Sequence, residues 1–259
     1  MAVTQRDISI RLSCALFGLS ETCYRYQAKL SDENALIADW LIRVTQNQRN
    51  WGFGLCFLYL RNVKGFVWNH KRVYRIYREL ELNMRIKPKK RLIRDKPESL
   101  KVPTAINEFW SMDFMHDSLW NGKTYRLLNV IDDYKRQVLA IEADSSIPSL
   151  RVIRVLNRLK EVRGLPEMIR VDNGPEFISK NLDGWCKENK VKLAFIQPGE
   201  PTQNAFIERF NGSLRRELLN AYVFKTISEV QQKTFEWMID YNQNRPHKAL
   251  KYESPSTAL

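Results

Sequence analysis

The chain has 259 residues, of which 44% are hydrophobic, and its formal net charge is +13. The hydrophobic content is enough for a folded core, so the composition argues against wholesale disorder. No apolar run approaches the length of about 18 residues that a membrane-spanning helix needs, and the N-terminus lacks the apolar stretch of a secretory signal. We therefore expect a soluble, cytoplasmic protein without a membrane partner.

Most of the positive charge lies in one stretch of the chain. Residues 61–101 contain 14 Lys and Arg against 4 Asp and Glu, which gives a net charge of +10. Such a stretch can bind nucleic acid, because its Lys and Arg side chains displace the counterions from the nucleic-acid phosphates. The alternative is a solvated linker, which is what an isolated charge run usually is. Aromatic and β-branched residues alternate with the charges between Phe66 and Tyr77, and this favours a folded basic surface.

Helices are predicted throughout residues 1–83. Residues 6–28 indicate two short helices around a turn, which fits a helix-turn-helix and an ordinary helical hairpin equally well. Residues 32–48 are typical of an amphipathic helix, and residues 52–82 indicate a second helical pair, whose clearer member begins after Asn69. The basic residues of that helix are Lys71, Arg72, Arg75 and Arg78. We predict that this all-helical region binds DNA and that these four side chains contact its backbone.

The pattern changes after residues 84–104, which are rich in Lys, Arg and Pro and are predicted to form a basic linker. The segments with strand patterns are 106–115, 125–131, 137–141, 168–171 and 191–196. The segments with helical patterns are 148–163, 175–189, 204–221 and 227–243. This order predicts an α/β domain over residues 105–259, in which helices cover a mixed sheet.

Three carboxylates in this domain indicate its chemistry. Asp113 lies in the first predicted strand and Asp172 at the C-terminal end of the fourth, so they meet if those strands are neighbours. Glu208 lies on the following helix, opposite an apolar stripe. The residues that share its helical face are Asn204, Asn211 and Arg215. Three carboxylates can hold two divalent ions and catalyse phosphoryl transfer, so in this basic chain they predict an enzyme that cuts or joins nucleic acid.

Each of these carboxylates also has a simpler explanation when it is taken alone. Asp172 could cap the turn that follows it, and Glu208 could be a solvated helix residue. Asp113 is harder to explain in this way, because its neighbours in sequence are apolar and an unpaired ionised group is costly to bury. The combination favours a metal site over coincidence.

Other acidic residues compete for the same role. Asp132 and Asp133 are interpreted as turn formers, and Glu176 as an acid in the first turn of a helix. Asp117 is the most credible additional ligand, and we rank it below the three main carboxylates.

Five segments are carried together by this chain: Trp-Ser-Met-Asp-Phe at 110–114, Asn-Val-Ile-Asp-Asp-Tyr-Lys-Arg at 129–136, Val-Asp-Asn-Gly-Pro-Glu-Phe at 171–177, Asn-Ala-Phe-Ile-Glu-Arg-Phe-Asn-Gly at 204–212 and Tyr-Asn-Gln-Asn-Arg-Pro-His at 241–247. Over residues 105–259 the chain thereby resembles the catalytic core of bacterial insertion-sequence transposases of the retroviral-integrase-like kind. The resemblance is specifically to the product of the second reading frame, OrfB.

The resemblance implies a ribonuclease-H-like fold in which Asp113, Asp172 and Glu208 bind two Mg²⁺ or Mn²⁺ ions. It also implies that Arg215 contacts DNA near the cut and that Asn211 supports the same phosphate. The implied partners are DNA, as terminal repeats and as target, a second copy of the chain in a homo-oligomer, and the upstream-frame product OrfA or a fusion with it.

We therefore expect a DNA transposase that cleaves the ends of an insertion element and transfers the strands to a target. Two alternatives stay open at this stage. One is a structure-specific nuclease of the same fold, and the other is a non-catalytic DNA-binding protein derived from a transposase.

Overall fold

The computed structural model describes residues 9–25, 32–84, 102–196 and 204–258. Most of the predicted basic linker and the loop before residue 204 lie outside these ranges. None of the helices in the described ranges is long and apolar enough to cross a membrane.

The N-terminal part of the described chain is helical, as predicted. Its helices are α1 (Ile10–Leu16), α2 (Glu21–Tyr24), α3 (Asp32–Asn47), α4 (Phe53–Leu58, extended by a π-helical turn at Tyr59–Val63) and α5 (His70–Glu79). Side-chain caps fix three of the helix starts, because Ser9 accepts the Leu12 N–H, Ser20 accepts the Cys23 N–H and Asn69 accepts the Lys71 N–H. Helices α3, α4 and α5 bury a common cluster that includes Ile37, Leu41, Cys56 and Ile76.

The second part of the chain is built on one five-stranded sheet. Its strands are β1 (Phe109–Ser118), β2 (Thr124–Asp132), β3 (Gln137–Asp144), β4 (Met168–Val171) and β5 (Lys192–Phe195), in the order β3-β2-β1-β4-β5. Strands β1, β2 and β3 pair antiparallel, whereas β4 pairs parallel with both β1 and β5. The predicted mixed α/β sheet is thus confirmed, and β1 lies at its centre.

Helices cover both faces of the sheet. On one face lie α6 (Ser149–Arg163) and α7 (Lys180–Glu188), and on the other lie α8 (Ala205–Leu214, extended by a π-helical turn at Arg215–Leu219) and α9 (Ile227–Asn244). The alternation of side chains along a strand sends Leu128 and Val130 to the first face and Leu127 to the second. The predicted apolar stripe of α8 is buried against the second face, and its members are Ile207, Phe210, Leu214 and Leu218.

The helical part of the chain contacts the sheet domain through polar side chains. Gln48 Nε2 donates to Asp240 Oδ2 on α9 at 2.7 Å, and Asn62 Nδ2 donates to the carbonyl of Tyr252 at 2.9 Å. Asn50 Nδ2 donates to the carbonyl of Arg216 beyond α8. These hydrogen bonds position the helical part beside the end of α8.

A buried ion pair holds the turn after β2 against the sheet. Asp133 is fully buried, accepts a hydrogen bond from Ser111 Oγ at 2.8 Å and pairs with Arg170 Nη1 at 3.0 Å. Burial raises the pKa of Asp133 to about 6, although these two partners favour its charged form. The neighbouring Asp132 accepts the backbone N–H groups of Tyr134 and Lys135, so it forms the predicted turn. Asp133, interpreted from sequence as a turn former, instead ties the turn to two strands.

We predict that Arg170→Leu lowers the free energy of unfolding by roughly 3–5 kcal/mol, because it leaves the Asp133 carboxylate buried without its cation. Arg158→Leu is the matched control, since Arg158 is 58% exposed and its partner Glu142 keeps a second arginine, Arg151. The control should cost at most about 1 kcal/mol. Urea unfolding of both variants measures the difference, and equal losses would show that the buried pair has no special weight.

Candidate active site

The pairing of β1 with β4 brings two of the three predicted catalytic carboxylates side by side. Ser111 lies opposite Arg170 in this parallel pair, and two residues further along each strand come Asp113 and Asp172. Neighbouring strands are about 4.8 Å apart, so both side chains leave the sheet at the same place. Asp172 directly follows the last residue of β4.

The turn after β4 holds the Asp172 side chain in place. Its Oδ1 accepts the backbone N–H of Gly174 at 3.0 Å. A Cβ atom on residue 174 would lie 2.9 Å from this same oxygen, which is closer than non-bonded atoms approach. A glycine at 174 is therefore required for this hydrogen bond to form without displacing the carboxylate.

Glu208 reaches the same region from α8, whose apolar stripe packs on the sheet and leaves Glu208 exposed. Asp172 and Glu208 both act electrostatically on Asp113. The pKa of Asp113 is raised to about 6, first by burial and then by the negative charges of Asp172 and Glu208. The structure thus places Asp172 and Glu208, from β4 and α8, near enough to Asp113 on β1 to act on its charge.

Two asparagines connect β2 to this group. Asn129 Nδ2 donates to Asn211 Oδ1 at 2.7 Å, and Asn211 Nδ2 donates to Asp113 Oδ2 at 2.6 Å. Asn211, predicted from sequence as a DNA contact, therefore lies against a carboxylate. Asn129 was assigned no role from sequence. The available signal was its position in the apolar run Leu-Leu-Asn-Val-Ile at 127–131, where a buried amide needs a partner.

Arg215 lies beside β1 at the end of α8. Its Nη2 donates to the carbonyl of His116 at 2.7 Å, and its Nη1 lies 3.3 Å from Asp117 Oδ2. Asp117, predicted as a possible additional ligand, is therefore paired with this arginine. The Arg215 guanidinium stays 39% exposed, so it is accessible from solvent.

Arginine partners distinguish the competing acids from the triad. The paired acids and their partners are Asp117 with Arg215, Asp132 with Arg163, Asp133 with Arg170, and Glu176 with Arg126. Within the described residues, Asp113, Asp172 and Glu208 form no salt bridge. Glu176 lies in a turn rather than in the first turn of a helix, because α7 begins only after the Ser179 cap.

The donor set of the triad fits a hard divalent cation. Carboxylate and amide oxygens are the ligands that Mg²⁺ and Mn²⁺ prefer, and the repulsion that raises the Asp113 pKa is what a cation would relieve. As the side chains stand, no three Asp, Glu, His or Cys residues of the described ranges are close enough to hold an ion. The fit therefore rests on donor chemistry and on uncompensated charge.

The predicted DNA-contacting residues of the helical part lie together on α5. Lys71, Arg75 and Arg78 are exposed, and Arg75 pairs with Glu79 one turn away, at 3.5 Å. Arg72 differs, because it pairs with Glu33 and donates to Asn34 Oδ1 at 2.8 Å, which links α5 to α3.

Comparisons with known proteins agree with this architecture. Two models described as integrase core domain match residues 103–201 and 189–255. The 31.7 kDa protein of insertion element IS407 from Burkholderia multivorans is 41% identical over 250 residues, which cover 96% of this chain and 90% of the relative. The transposase of insertion sequence IS904 from Lactococcus lactis is 27% identical over 59% of this chain and 61% of its own length.

The fold is shared with a chain in the cryo-EM structure of the simian T-cell lymphotropic virus intasome in complex with PP2A regulatory subunit B56 gamma. That likeness has a TM-score of 0.54 at 16% identity and covers 84% of this chain and 73% of the other. The family of the chain is shown by the sequence relatives and by the integrase core models. The protein belongs to the insertion-element transposases that have a retroviral-integrase-like core, a family of polynucleotidyl transferases.

Proposed function

We propose that the chain cleaves the ends of its insertion element and transfers them to a target strand, using divalent cations held by Asp113, Asp172 and Glu208. The observation that carries the proposal is that Asp172 and Glu208 lie near enough to act on the buried Asp113 and that none of the three forms a salt bridge among the described residues, whereas each neighbouring acid has an arginine. Uncompensated negative charge of this kind favours bound metal.

Two Mg²⁺ or Mn²⁺ ions would supply the charge that activates the attacking oxygen and stabilises the departing 3′ oxygen in an in-line displacement. Asp113 and Asp172 would hold them from the sheet, and Glu208 from α8. The Asn211 amide keeps the Asp113 side chain oriented. The Arg215 guanidinium would leave its ion pair with Asp117 and bind a phosphate of the cleaved strand instead.

The same proposal assigns the rest of the chain. Residues 1–83 would bind the terminal repeats, residues 84–104 would follow the DNA as a basic linker, and residues 105–259 would perform the chemistry. Because two ends must be processed together, we infer a homo-oligomer. As an OrfB-type product, the chain would work with an OrfA partner or as a fusion with it.

We expect Glu208→Gln to lower cleavage and strand transfer by on the order of a thousandfold or more, because one carboxylate ligand is lost and its shape is kept. The assay uses a labelled duplex that carries the element's own end, in Mg²⁺ and in EDTA, with and without the upstream partner. Glu188→Gln, which changes an exposed acid on α7, is the matched control and should leave the rate unchanged.

The same assay separates the two alternatives. Cleavage without strand transfer, at DNA structures rather than at the element's end, would identify a nuclease. DNA binding without product under any condition would identify a non-catalytic DNA-binding protein. Either result would reject the transposase mechanism proposed for this chain.

A second prediction concerns Asn129 as a positioning residue. Asn129→Val removes the donor that fixes Asn211, so the cleavage rate should fall about 10–100-fold and the Mg²⁺ concentration for half-maximal rate should rise. Thr234→Val is the control, because its buried hydroxyl bonds only to carbonyls of its own helix. A lower rate with an unchanged Mg²⁺ dependence would contradict the positioning role.

A third prediction separates DNA contacts from packing on α5. Replacing Lys71, Arg75 and Arg78 together by Gln should weaken binding to the terminal repeat on the order of tenfold or more. The slope of log affinity against log salt concentration should become smaller in magnitude by about 2–3. Arg72→Gln should instead lower the stability of the helical region, because it breaks the contact with Glu33 and Asn34. Fluorescence anisotropy at several salt concentrations and thermal unfolding measure the two effects. An Arg72→Gln variant of normal stability that loses DNA binding would overturn this division.

A further inference from the structure

A basic cavity lies beside the candidate active site, on another face of α8. It has a volume of about 460 Å³ and is enclosed by the turn after β2, by α8 and by the segment that follows α9. The basic side chains that line it are Arg136, Arg209, Arg216, Arg245 and Lys248. No acidic residue is among its described lining residues.

The charge of this cavity is largely uncompensated. Arg245 is neutralised by Glu217, which it meets through Nη2 at 2.8 Å and through Nε at 3.1 Å. Within the described part of the chain, the other four cations form no salt bridge. Arg136 is held by the carbonyl of Asp133 and stacks on Phe206, with 3.4 Å between its Cζ and the ring centroid. The nearby Asp133 and Asp132 act on Arg136 electrostatically but form no salt bridge with it within the described residues, and a fixed guanidinium of this kind is suited to binding an anion.

His247 lines the same cavity, and one nitrogen of its ring has no hydrogen-bond partner within the described residues. Its ring packs edge-on against Tyr241 at 4.9 Å, and its backbone N–H donates to the carbonyl of Glu253. Its Nε2 is buried and has no hydrogen-bond partner within the described residues. Burial and the charges of Arg245, Arg136 and Arg209 lower the pKa of His247 to about 3, so the ring is neutral and can accept or donate one hydrogen bond. Buried polar atoms are rarely left unpaired, so this nitrogen is available to a hydrogen-bonding group in the cavity.

The cavity is distinct from the carboxylate site. Successive residues of an α-helix are rotated by about 100°, so Arg209 and Arg216 project from a different face of α8 than Glu208, Asn211 and Arg215. The two sites nevertheless share one rigid helix, and a ligand in the cavity is therefore held at a fixed position relative to the carboxylates.

We propose that this cavity binds a phosphate group of the DNA backbone, as a second DNA-binding site of the catalytic domain. The proposal deepens the proposed function and rests on it, since DNA is the polyanion that the reaction supplies. Guanidinium groups from Arg209, Arg216 and Arg136 present paired N–H donors that match phosphate oxygens. Phosphate contacts of this kind position a duplex without reading its sequence.

The test uses the full-length chain and reports on the cavity without requiring cleavage. The chain has only three histidines, so the His247 imidazole can be followed by NMR and assigned with His247→Asn. Duplex DNA with and without the terminal repeat is titrated in one arm, and inorganic phosphate at constant ionic strength in the other. We expect either duplex to shift the His247 signal, and phosphate alone to shift it only at far higher concentration.

Variants give the second readout. The double variant Arg209→Gln with Arg216→Gln should bind both duplexes several-fold more weakly. The slope of its log affinity against log salt concentration should be smaller in magnitude by about 1–2. Arg154→Gln with Arg158→Gln, which changes two exposed arginines on α6 at the opposite face of the sheet, is the charge-matched control and should have a smaller effect. The proposal is overturned if duplex DNA binds without moving the His247 signal and if the cavity variant and the control variant lose the same amount of DNA affinity. A phosphate affinity equal to that of DNA assigns the cavity to free phosphate and also overturns it. Failure of the proposed function is different, because it appears as absent cleavage by the unmodified chain.

Discussion

The proposed site depends on holding a buried carboxylate beside two others. Burial raises the pKa of Asp113, and the negative charges of Asp172 and Glu208 raise it further. Without a cation this arrangement is unfavourable, so the surrounding structure must impose it. Much of the domain's architecture can be understood as the support that the three side chains require.

One support is the buried ion pair of Asp133 and Arg170, which lies on the same face of β1 and β4 as Asp113 and Asp172. Ser111 and Arg170 lie directly opposite each other in the register of those strands, and both bind the Asp133 carboxylate. Side chains two residues apart share a face of a strand. Ser111 and Arg170 therefore lie on the same face as Asp113 and Asp172, two residues before them on each strand. A slip of β4 by one residue would break the ion pair and send Asp172 to the other face. Asp133 thus fixes the register on which the site depends.

Sequence patterns predicted those features that are determined by local periodicity. The apolar stripe from Ile207 to Leu218 indicated which face of α8 is buried. The apolar runs around Asp113 and Asp172 indicated two strands, one that contains Asp113 and one that ends just before Asp172. Features set by distant partners were not predictable in this way. Glu176 looks like a helix-start acid until its partner Arg126, 50 residues away, is known. The hydrogen bond from Asn129 to Asn211 likewise spans 82 residues and leaves only a buried amide as its trace in the sequence.

Helix α8 links packing, chemistry and charge because each occupies a separate face. Its apolar stripe is buried against the sheet, Glu208 and Asn211 lie on the side of Asp113, and Arg209 lines the basic cavity. The helix then widens into a π-helical turn at Arg215–Leu219, and such a turn shifts the residues that follow relative to a regular α-helix. As a result Arg215 meets β1, while Glu217 turns back to Arg245 at the wall of the cavity. A displacement of this one helix would therefore alter the carboxylate site and the cavity together, and a ligand that fixes the helix from the cavity side also stabilises the position of Glu208.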